Sequence, residues 1–395
     1  MAESLPCVEA RHGGRLPIEL VDQVIQYVYA AGLGDLPSLR SCALTCHHWN
    51  NIARTYIFRR VDLTCQKRLR SLERVVENAP HIANYIREMT VGPMTSQGRR
   101  HSKSWLQHMP ENLSQWLDAL HTVRFIRLSD AGEFCDAEFF STFYYFTSVK
   151  RLILEDCAMN LAVLKAFACS LPGLTELIIV DLLPLLVTVW EAPPLLTTPP
   201  LTKLVLDVTN TASPTMENFM NWLFVHGNCG GRLHTLHSVE FGFTILDTKV
   251  VTNALNKIGS NLKHLGLHIK PMFETSEWEQ EFVHRAVDIG LCPNLTSLTV
   301  DLATAHSKTS FFMGVKAKEL RTLSFRIDMK EGERPPDFES LSDILLDSTF
   351  SSVENVQFLN MGDSPLSTVE DAIAKALPNF YNRGMLQVLN GRHIE

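Results

Sequence analysis

The chain has 395 residues, with 36 Lys and Arg against 43 Asp and Glu, a formal charge of −7 and an apolar share of 45%. That length exceeds one compact core, and the acidic balance argues against a nucleic-acid partner, which would want a basic face. No stretch reaches the ~18 apolar residues of a membrane span, because Leu182–Trp190 is broken by Pro184 and followed by Glu191; no membrane partner is expected. The first ten residues, MAESLPCVEA, carry no basic n-region and no apolar h-region, which predicts no secretory signal. Nine cysteines follow no disulfide spacing. These features predict an intracellular protein with reduced thiols, in the cytoplasm, the nucleus or both.

Three short helices open the chain. In residues 18–29, Leu20, Val21, Val24, Ile25 and Val28 fall on one helical face, and Pro17 sits where a missing N–H costs nothing. A second helix is predicted over Leu36–Leu44. A third, His47–Tyr56, turns Trp49, Ile52, Ala53 and Tyr56 inward. Three helices in so short a segment bury too little surface to be stable alone, so the module needs a neighbour. Cys42, Cys46, His47 and His48 lie close together. They lack the second ligand pair of a tetrahedral site, and helical packing accounts for the cysteines, so no metal is expected.

Behind the module one frame recurs: apolar, two variable, apolar, one variable, apolar. It reads Ile86-Met89-Val91, Val123-Ile126-Leu128, Val149-Leu152-Leu154, Leu174-Leu177-Ile179 and Leu201-Leu204-Leu206. It continues at Leu236-Val239-Phe241, Leu262-Leu265-Leu267, Leu295-Leu298-Val300, Leu320-Leu323-Phe325 and Val353-Val356-Phe358. Phe58-Val61-Leu63 fits, and Leu386-Val388 is a degenerate copy. Each frame spells a short strand entered from a bend. Helix-like runs lie between copies: Asp136–Phe146, Asn160–Ser170, Thr215–Val225, Lys249–Ile258, Glu277–Ile289 and Phe338–Leu346. Ser367 with Glu370 forms a capping box for a further helix, Thr368–Leu377. One strand and one helix per unit, stacked in parallel, make a solenoid.

Over roughly residues 86–360 this array resembles the leucine-rich repeat family. The family sets Asn or Cys three after the last apolar position to satisfy the turn backbone. Cys157 fits, and Thr209 and Thr244 substitute in part. The fold class expected is α/β: a three-helix module over 14–63, then a solenoid over 64–395 with parallel strands on the concave face and helices on the convex face. Loop insertions are expected near 92–112, 183–200 and 328–336. The basic run Gly98–Lys103 reads as a solvated insertion.

The front module is similar to an F-box, of the style of fungal members with leucine-rich repeats. The matching residues are Leu16, Pro17, Glu19, Leu20, Val24, Ile25, Leu39, Cys42, Leu44, Cys46, Trp49 and Phe58, with Thr45 where Val is usual. The resemblance implies docking on the Skp adaptor of a cullin–RING ubiquitin ligase while the repeats hold a protein substrate. Leu16, Pro17, Leu20, Ile25, Leu39, Leu44 and Trp49 would then line or support the adaptor face. The other reading is a repeat-based interaction scaffold whose F-box-like front only caps the solenoid.

Strand alternation sends the first, fourth and sixth frame positions to the core and the third, fifth and seventh to the concave face. The outward set in the first copies is Phe125, Arg127; Arg151, Ile153, Glu155; Glu176, Ile178, Val180; Lys203, Val205, Asp207. Phe125, Ile153, Ile178, Val180 and Val205 make an apolar patch rimmed by Arg127, Arg151, Glu155, Glu176 and Lys203, the anatomy of a protein-binding surface. The insertion Leu183–Pro200 is long enough to cover it. His264 and His268 leave one strand in the same direction and read as surface residues. No phosphate loop, Gly-x-Ser-x-Gly or His-Glu-x-x-His is present, so neither an enzyme nor a cofactor is expected.

Overall fold

The computed structural model describes residues 16–31, 36–92, 113, 116–126, 142–159, 161–181, 183–184, 199–207, 213–226, 235–243, 247–269, 287–301, 312, 314–329, 338, 340–347 and 350–391. It opens with α1 (Ile18–Ala31), α2 (Leu36–Ala43) and α3 (His47–Ile57). Then β1 (Arg60–Leu63), α4 (Gln66–Asn78), β2 (Glu88–Val91), β3 (Thr122–Ile126) and β4 (Arg151–Glu155) follow. Next come β5 (Ala158–Met159), α5 (Leu161–Ser170), β6 (Glu176–Val180), β7 (Leu183–Pro184), β8 (Lys203–Asp207) and α6 (Ser213–Asn221). The chain continues through β9 (Ser238–Phe243), α7 (Thr248–Ile258), β10 (His264–Ile269), β11 (Ser297–Asp301) and β12 (Thr322–Ile327). It ends with α8 (Ser340–Leu346), β13 (Asn355–Asn360), α9 (Leu366–Ala376), α10 (Pro378–Asn382) and β14 (Leu386–Asn390).

Twelve of these strands form one sheet in chain order, parallel throughout; β5 and β7 pair separately. The fold is therefore a solenoid of parallel strands behind three helices. Register keeps like frame positions side by side: Leu152 opposes Leu177 and Leu154 opposes Ile179. The core positions of the ten inner frames are buried, as with Leu174, Leu177 and Ile179, while Phe58, Val61, Leu386 and Val388 in the two end frames are half-buried. Each such side chain contributes about 1.5–3 kcal/mol of burial. Because each of the ten inner repeats presents three, a continuous core runs the length of the sheet.

The third repeat departs from the expected frame. Val123-Ile126-Leu128 and Leu120-Val123-Phe125 both satisfy the pattern, and the chain uses the second. Val123 opposes Leu152 and Phe125 opposes Leu154, so Phe125 is a core residue. Its ring meets Phe143 at 5.9 Å and Phe167 at 5.3 Å, edge to face in both cases. Aromatic packing of this kind decides between two frames that binary pattern leaves equal.

Helices over residues 161–170, 213–221, 248–258, 340–346 and 366–376 stand close to where the sequence places them. The capping box does not form. Leu366 is already helical after Pro365, and no side chain caps the helix, so Ser367 lies inside the first turn. Helix α4 has no counterpart in the sequence reading. It is highly charged, and only Leu69, Leu72 and Val76, a narrow i, i+3, i+7 stripe, hold it to the core. Of Asp136–Phe146, the described part is a 3-10 turn at Thr142–Tyr145. Most of Glu277–Ile289, the run Gly98–Lys103 and most of the three expected insertions lie outside the described residues.

The chain leaves several strands through the left-handed region. Gly92 has φ of 110°, and Asp156 and Asp181 have φ of 51° and 49°. Asp tolerates that region because its short side chain bonds locally. Cys157 is buried, and its Sγ lies 3.5 Å from the Phe125 carbonyl as donor. That is the turn-satisfying role the leucine-rich-repeat resemblance implies for it.

Candidate interaction surfaces

Helix α1 starts because the Pro17 carbonyl accepts the N–H groups of Leu20 and Val21, each at 3.1 Å. Val21, Ile25, Leu39 and Ala53 form a small core, closed by Val28, Tyr29, Trp49, Ile52, Tyr56 and Ile57. The Tyr56 hydroxyl donates to Asp22 at 3.1 Å, and the Arg59 guanidinium lies over the Tyr29 ring at 5.6 Å. This core is separate from that of the sheet.

Around it, apolar side chains face outward. Leu16, Ile18, Leu20, Val24, Tyr27, Leu36 and Leu44 are all exposed, Tyr27 to 75% and Leu44 to 87%. Leu20, Val24 and Tyr27 repeat at i, i+4 and i+7, the same stripe as Val21, Ile25 and Val28, turned by the ~100° between neighbouring helical residues. The five apolar residues expected on one face are therefore split between two. Val21 and Ile25 are buried and Val28 half-buried, while Leu20 and Val24 face solvent. Among the described residues, five further large apolar side chains in the whole remainder of the chain are this exposed.

The concave face is laid out by the register. Its central row runs Thr90, Arg124, Ile153, Ile178, Val205, Glu240 and Gly266 through successive strands. Charges on this face are paired. Arg124 holds Glu155 through Nε at 3.1 Å, Arg151 meets Glu176 at 3.5 Å, and Lys203 meets Glu240 at 3.8 Å. Between them Ile153, Ile178 and Val205 form an apolar island, with Ile126 and Val180 half-buried one row further along.

Toward β10 the face turns polar. His268 is buried, with Nε2 at 3.7 Å from Glu240 and Nδ1 at 3.4 Å from Asp301. Those separations exceed good hydrogen bonds, so the ring acts through charge. Burial disfavours the imidazolium, but Asp301 and Glu240 outweigh it and raise the His268 pKa. Burial likewise pushes Glu240 up, and His268 and Lys203 more than reverse this, so its carboxyl titrates below the usual range. Gly266 leaves the room: a Cβ there would lie 2.7 Å from the Glu240 side chain.

Residues 14–64 match the F-box-like family model. Behind this F-box-like segment, the twelve-stranded sheet has the architecture of leucine-rich repeats, and the chain resembles F-box proteins with such repeats. No curated protein matches the chain. Among solved structures, a chain of the Rad7–Elc1 complex of yeast shares 11% identity over 90% of this chain and 79% of that one, with a TM-score of 0.37. A Bacteroides fragilis protein shares 12% identity over 70% of this chain and 66% of that one, at a TM-score of 0.35. An internalin of Listeria monocytogenes shares 11% over 73% and 70%, at 0.27. Among the described residues, no helix is long and apolar enough to cross a membrane.

Within the F-box-like segment, Leu16, Pro17, Leu20 and Leu44 lie on the exposed side, and Trp49 is half-buried against the small core. Ile25 and Leu39 are fully buried, so they brace the surface from below and cannot touch a partner. Ile18, Tyr27 and Leu36 are exposed apolar residues that the sequence reading passed over; the second stripe at i, i+3 or i+4 was the signal for Tyr27. On the concave face, Arg151, Ile153, Glu155, Glu176, Val180, Lys203 and Val205 point outward and are half-buried. Phe125 is corrected to the core, and Arg124 and Ile126 take the outward positions of that repeat. Ile178 points outward but retains 8% exposure, so the island's reachable residues are Ile153 and Val205. Arg127 lies outside the described residues. His268 is corrected from surface to buried, because Glu240 and Asp301 close over it, while His264 is exposed.

Proposed function

We propose that this chain is the substrate-recognition subunit of a Skp–cullin–F-box ubiquitin ligase. The observation that carries the reading is the exposed apolar surface of the F-box-like segment, Leu16, Leu20, Val24 and Leu44, which the solenoid leaves uncovered. Large apolar side chains exposed together on so small a module are costly in water and mark a docking site. In this reading the Skp adaptor covers it and links the chain to a cullin–RING ligase. The concave face, centred on Ile153 and Val205, holds the protein substrate for ubiquitination. The chain positions partners and does no bond chemistry itself.

One observation favours a second reading, in which the segment only caps the solenoid. Helix α3 runs almost directly into β1, and the Arg59 carbonyl accepts the N–H groups of Arg87 and Glu88 at 2.8 and 3.0 Å. The segment is thus continuous with the first repeat. Co-purification with a recombinant Skp adaptor separates the two. The ligase reading expects a stable complex, weakened at least tenfold by Leu16→Ala with Pro17→Ala. Absence of a complex, or one indifferent to that pair, leaves the scaffold.

A further inference from the structure

One residue before each strand of the face, the chain places a side chain on the rim where the strands begin. The N–H of each rim residue donates to the carbonyl of its counterpart one repeat back, at 2.8–3.1 Å, from Arg87 to Arg59 through to Glu354 to Arg321. Eleven rim positions are stacked this way. Five of them carry Lys or Arg: Arg59, Arg87, Lys150, Lys263 and Arg321. One carries an acid, Glu354, at the far end. At the chain's own frequency of 36 Lys and Arg in 395 residues, eleven positions would carry about one. All five cations are exposed.

The rim differs from the face beside it in how its charges are met. On the face and its first strand, Arg60, Arg124, Arg151 and Lys203 each have a carboxylate partner. Among the described residues none of the five rim cations has a carboxylate within 4.0 Å. Arg87 donates to the Ala119 carbonyl and Arg59 lies over Tyr29, contacts that orient the side chains and leave their charge uncompensated. Three threonines complete the row's middle: Thr175, Thr202 and Thr296 fold their hydroxyls onto the preceding rim carbonyl at 3.0–3.2 Å. They keep the row low and neutral between cations. The field is felt nearby: His264, exposed on its surface side and partly covered on the other, is held below the usual imidazole range by that partial burial and then by Lys263, His237 and Lys203.

At the end nearest the helical module the rim opens into a cleft of about 530 Å³, lined by Arg59, Arg87, His121, Asn84 and Thr122, with Glu88 its one carboxylate. We propose that this rim binds an extended acidic segment of a partner protein, one end of which seats in the cleft. Strands about 4.8 Å apart spread the row over some 45–50 Å. Five cations over that length suit carboxylates spaced along a peptide. A duplex with a charge every ~1.7 Å would far exceed them, and the chain's net charge of −7 opposes any long polyanion. The row carries no Phe, Tyr or Trp between its cations on which successive single-stranded bases would stack; Tyr56 and Tyr85 lie in the cleft at its end.

The test is fluorescence anisotropy of a labelled twelve-glutamate peptide with the full chain at low salt. Lys150→Glu with Lys263→Glu should weaken binding at least fivefold and flatten its salt dependence. Lys249→Glu with Lys257→Glu, the same charge change on α7, should weaken it less than twofold. Equal losses in the two pairs would mean that net charge alone attracts the peptide, and would overturn the proposal. So would no binding, no loss at the rim, or tighter binding of a twelve-nucleotide oligo-dT. If the rim pair lowers the melting temperature, Lys263→Ala with Arg321→Ala repeats the test without adding charge. No arm involves the Skp adaptor, so failure here leaves the docking proposal standing.

Discussion

Along α1, Leu20, Val24 and Tyr27 point to solvent beside an inner stripe that already fills the module's core. Along β6, Leu177 and Ile179 are buried, and the outward Glu176 pairs with Arg151 on the neighbouring β4. The solenoid satisfies its apolar groups and the charges of its concave face largely within itself, and among the described residues it leaves the rim cations unmatched. The helical module leaves a surface unsatisfied. A solenoid repeat needs only its neighbours, whereas three short helices cannot bury both of their stripes. The difference separates two kinds of residue that composition alone would pool: those that hold the fold and those that await a partner.

The sharpest way to break that comparison is a core deletion in the solenoid. Phe167 packs against Phe125 and, at 4.9 Å, against Phe143. Phe167→Ala should cost about 3–5 kcal/mol, read in urea melts, and leave the adaptor binding proposed for the F-box-like segment intact at temperatures where the chain is folded. Leu44→Ala, at the most exposed of the module's apolar side chains, should change stability by less than about 0.5 kcal/mol. A large stability loss at Leu44 would show that its exposure is illusory and that the module's outer surface is part of the fold.

How much of this was legible follows from which interactions are local. The frame of apolar positions is local, so eleven of the twelve sheet strands could be placed from residue spacing, including β1 from Phe58-Val61-Leu63 and β14 from Leu386-Val388. The third repeat failed because two frames overlap there, and the choice rests on Phe143 and Phe167, distant in sequence from Phe125. On α1 the sequence showed an apolar helix but not its rotation, which depends on Leu39 and Ala53 arriving from other helices. The burial of His268 was equally out of reach, since Glu240 and Asp301 come from the flanking repeats. The rim row was present in the sequence one residue inside each frame. It emerged only when the ladder of hydrogen bonds aligned the repeats.

A middle-sized effect tests the turn chemistry that ends the strands. Gly92 combines φ of 110° with a close approach, in which a Cβ would lie 2.0 Å from the Ile126 carbonyl oxygen. Gly92→Ala should therefore destabilise by at least the 1–3 kcal/mol, roughly, of a strained backbone residue. Hydrogen exchange should place the loss in β2 and β3. Asp156→Gly, at a left-handed position that Asp already tolerates, should be close to neutral. Equal losses at both would mean that steric approach is not what fixes glycine at the first site.

The smallest effect concerns pH, and it bears on whether the concave face is as self-satisfied as the comparison claims. His268 has a folded pKa raised above its ordinary value near 6.5, because Asp301 and Glu240 outweigh burial and the nearby Arg326. A group raised in this way contributes stability that is fully present below the unfolded pKa and lost as pH rises through the folded one. Glu240 is shifted the other way, so its contribution is present above its unfolded value near 4.5 and lost as pH falls below it. The two together predict a plateau between about pH 5 and 6.5, with stability declining on either side of it. His268→Gln should remove the alkaline shoulder, and the difference in melting temperature between parent and variant should shrink as pH rises from 6 to 8.5. A difference that stays constant across that range would mean that His268 does not change its charge between pH 6 and 8.5, and would break the reading in which its titration supports the paired charges of the face.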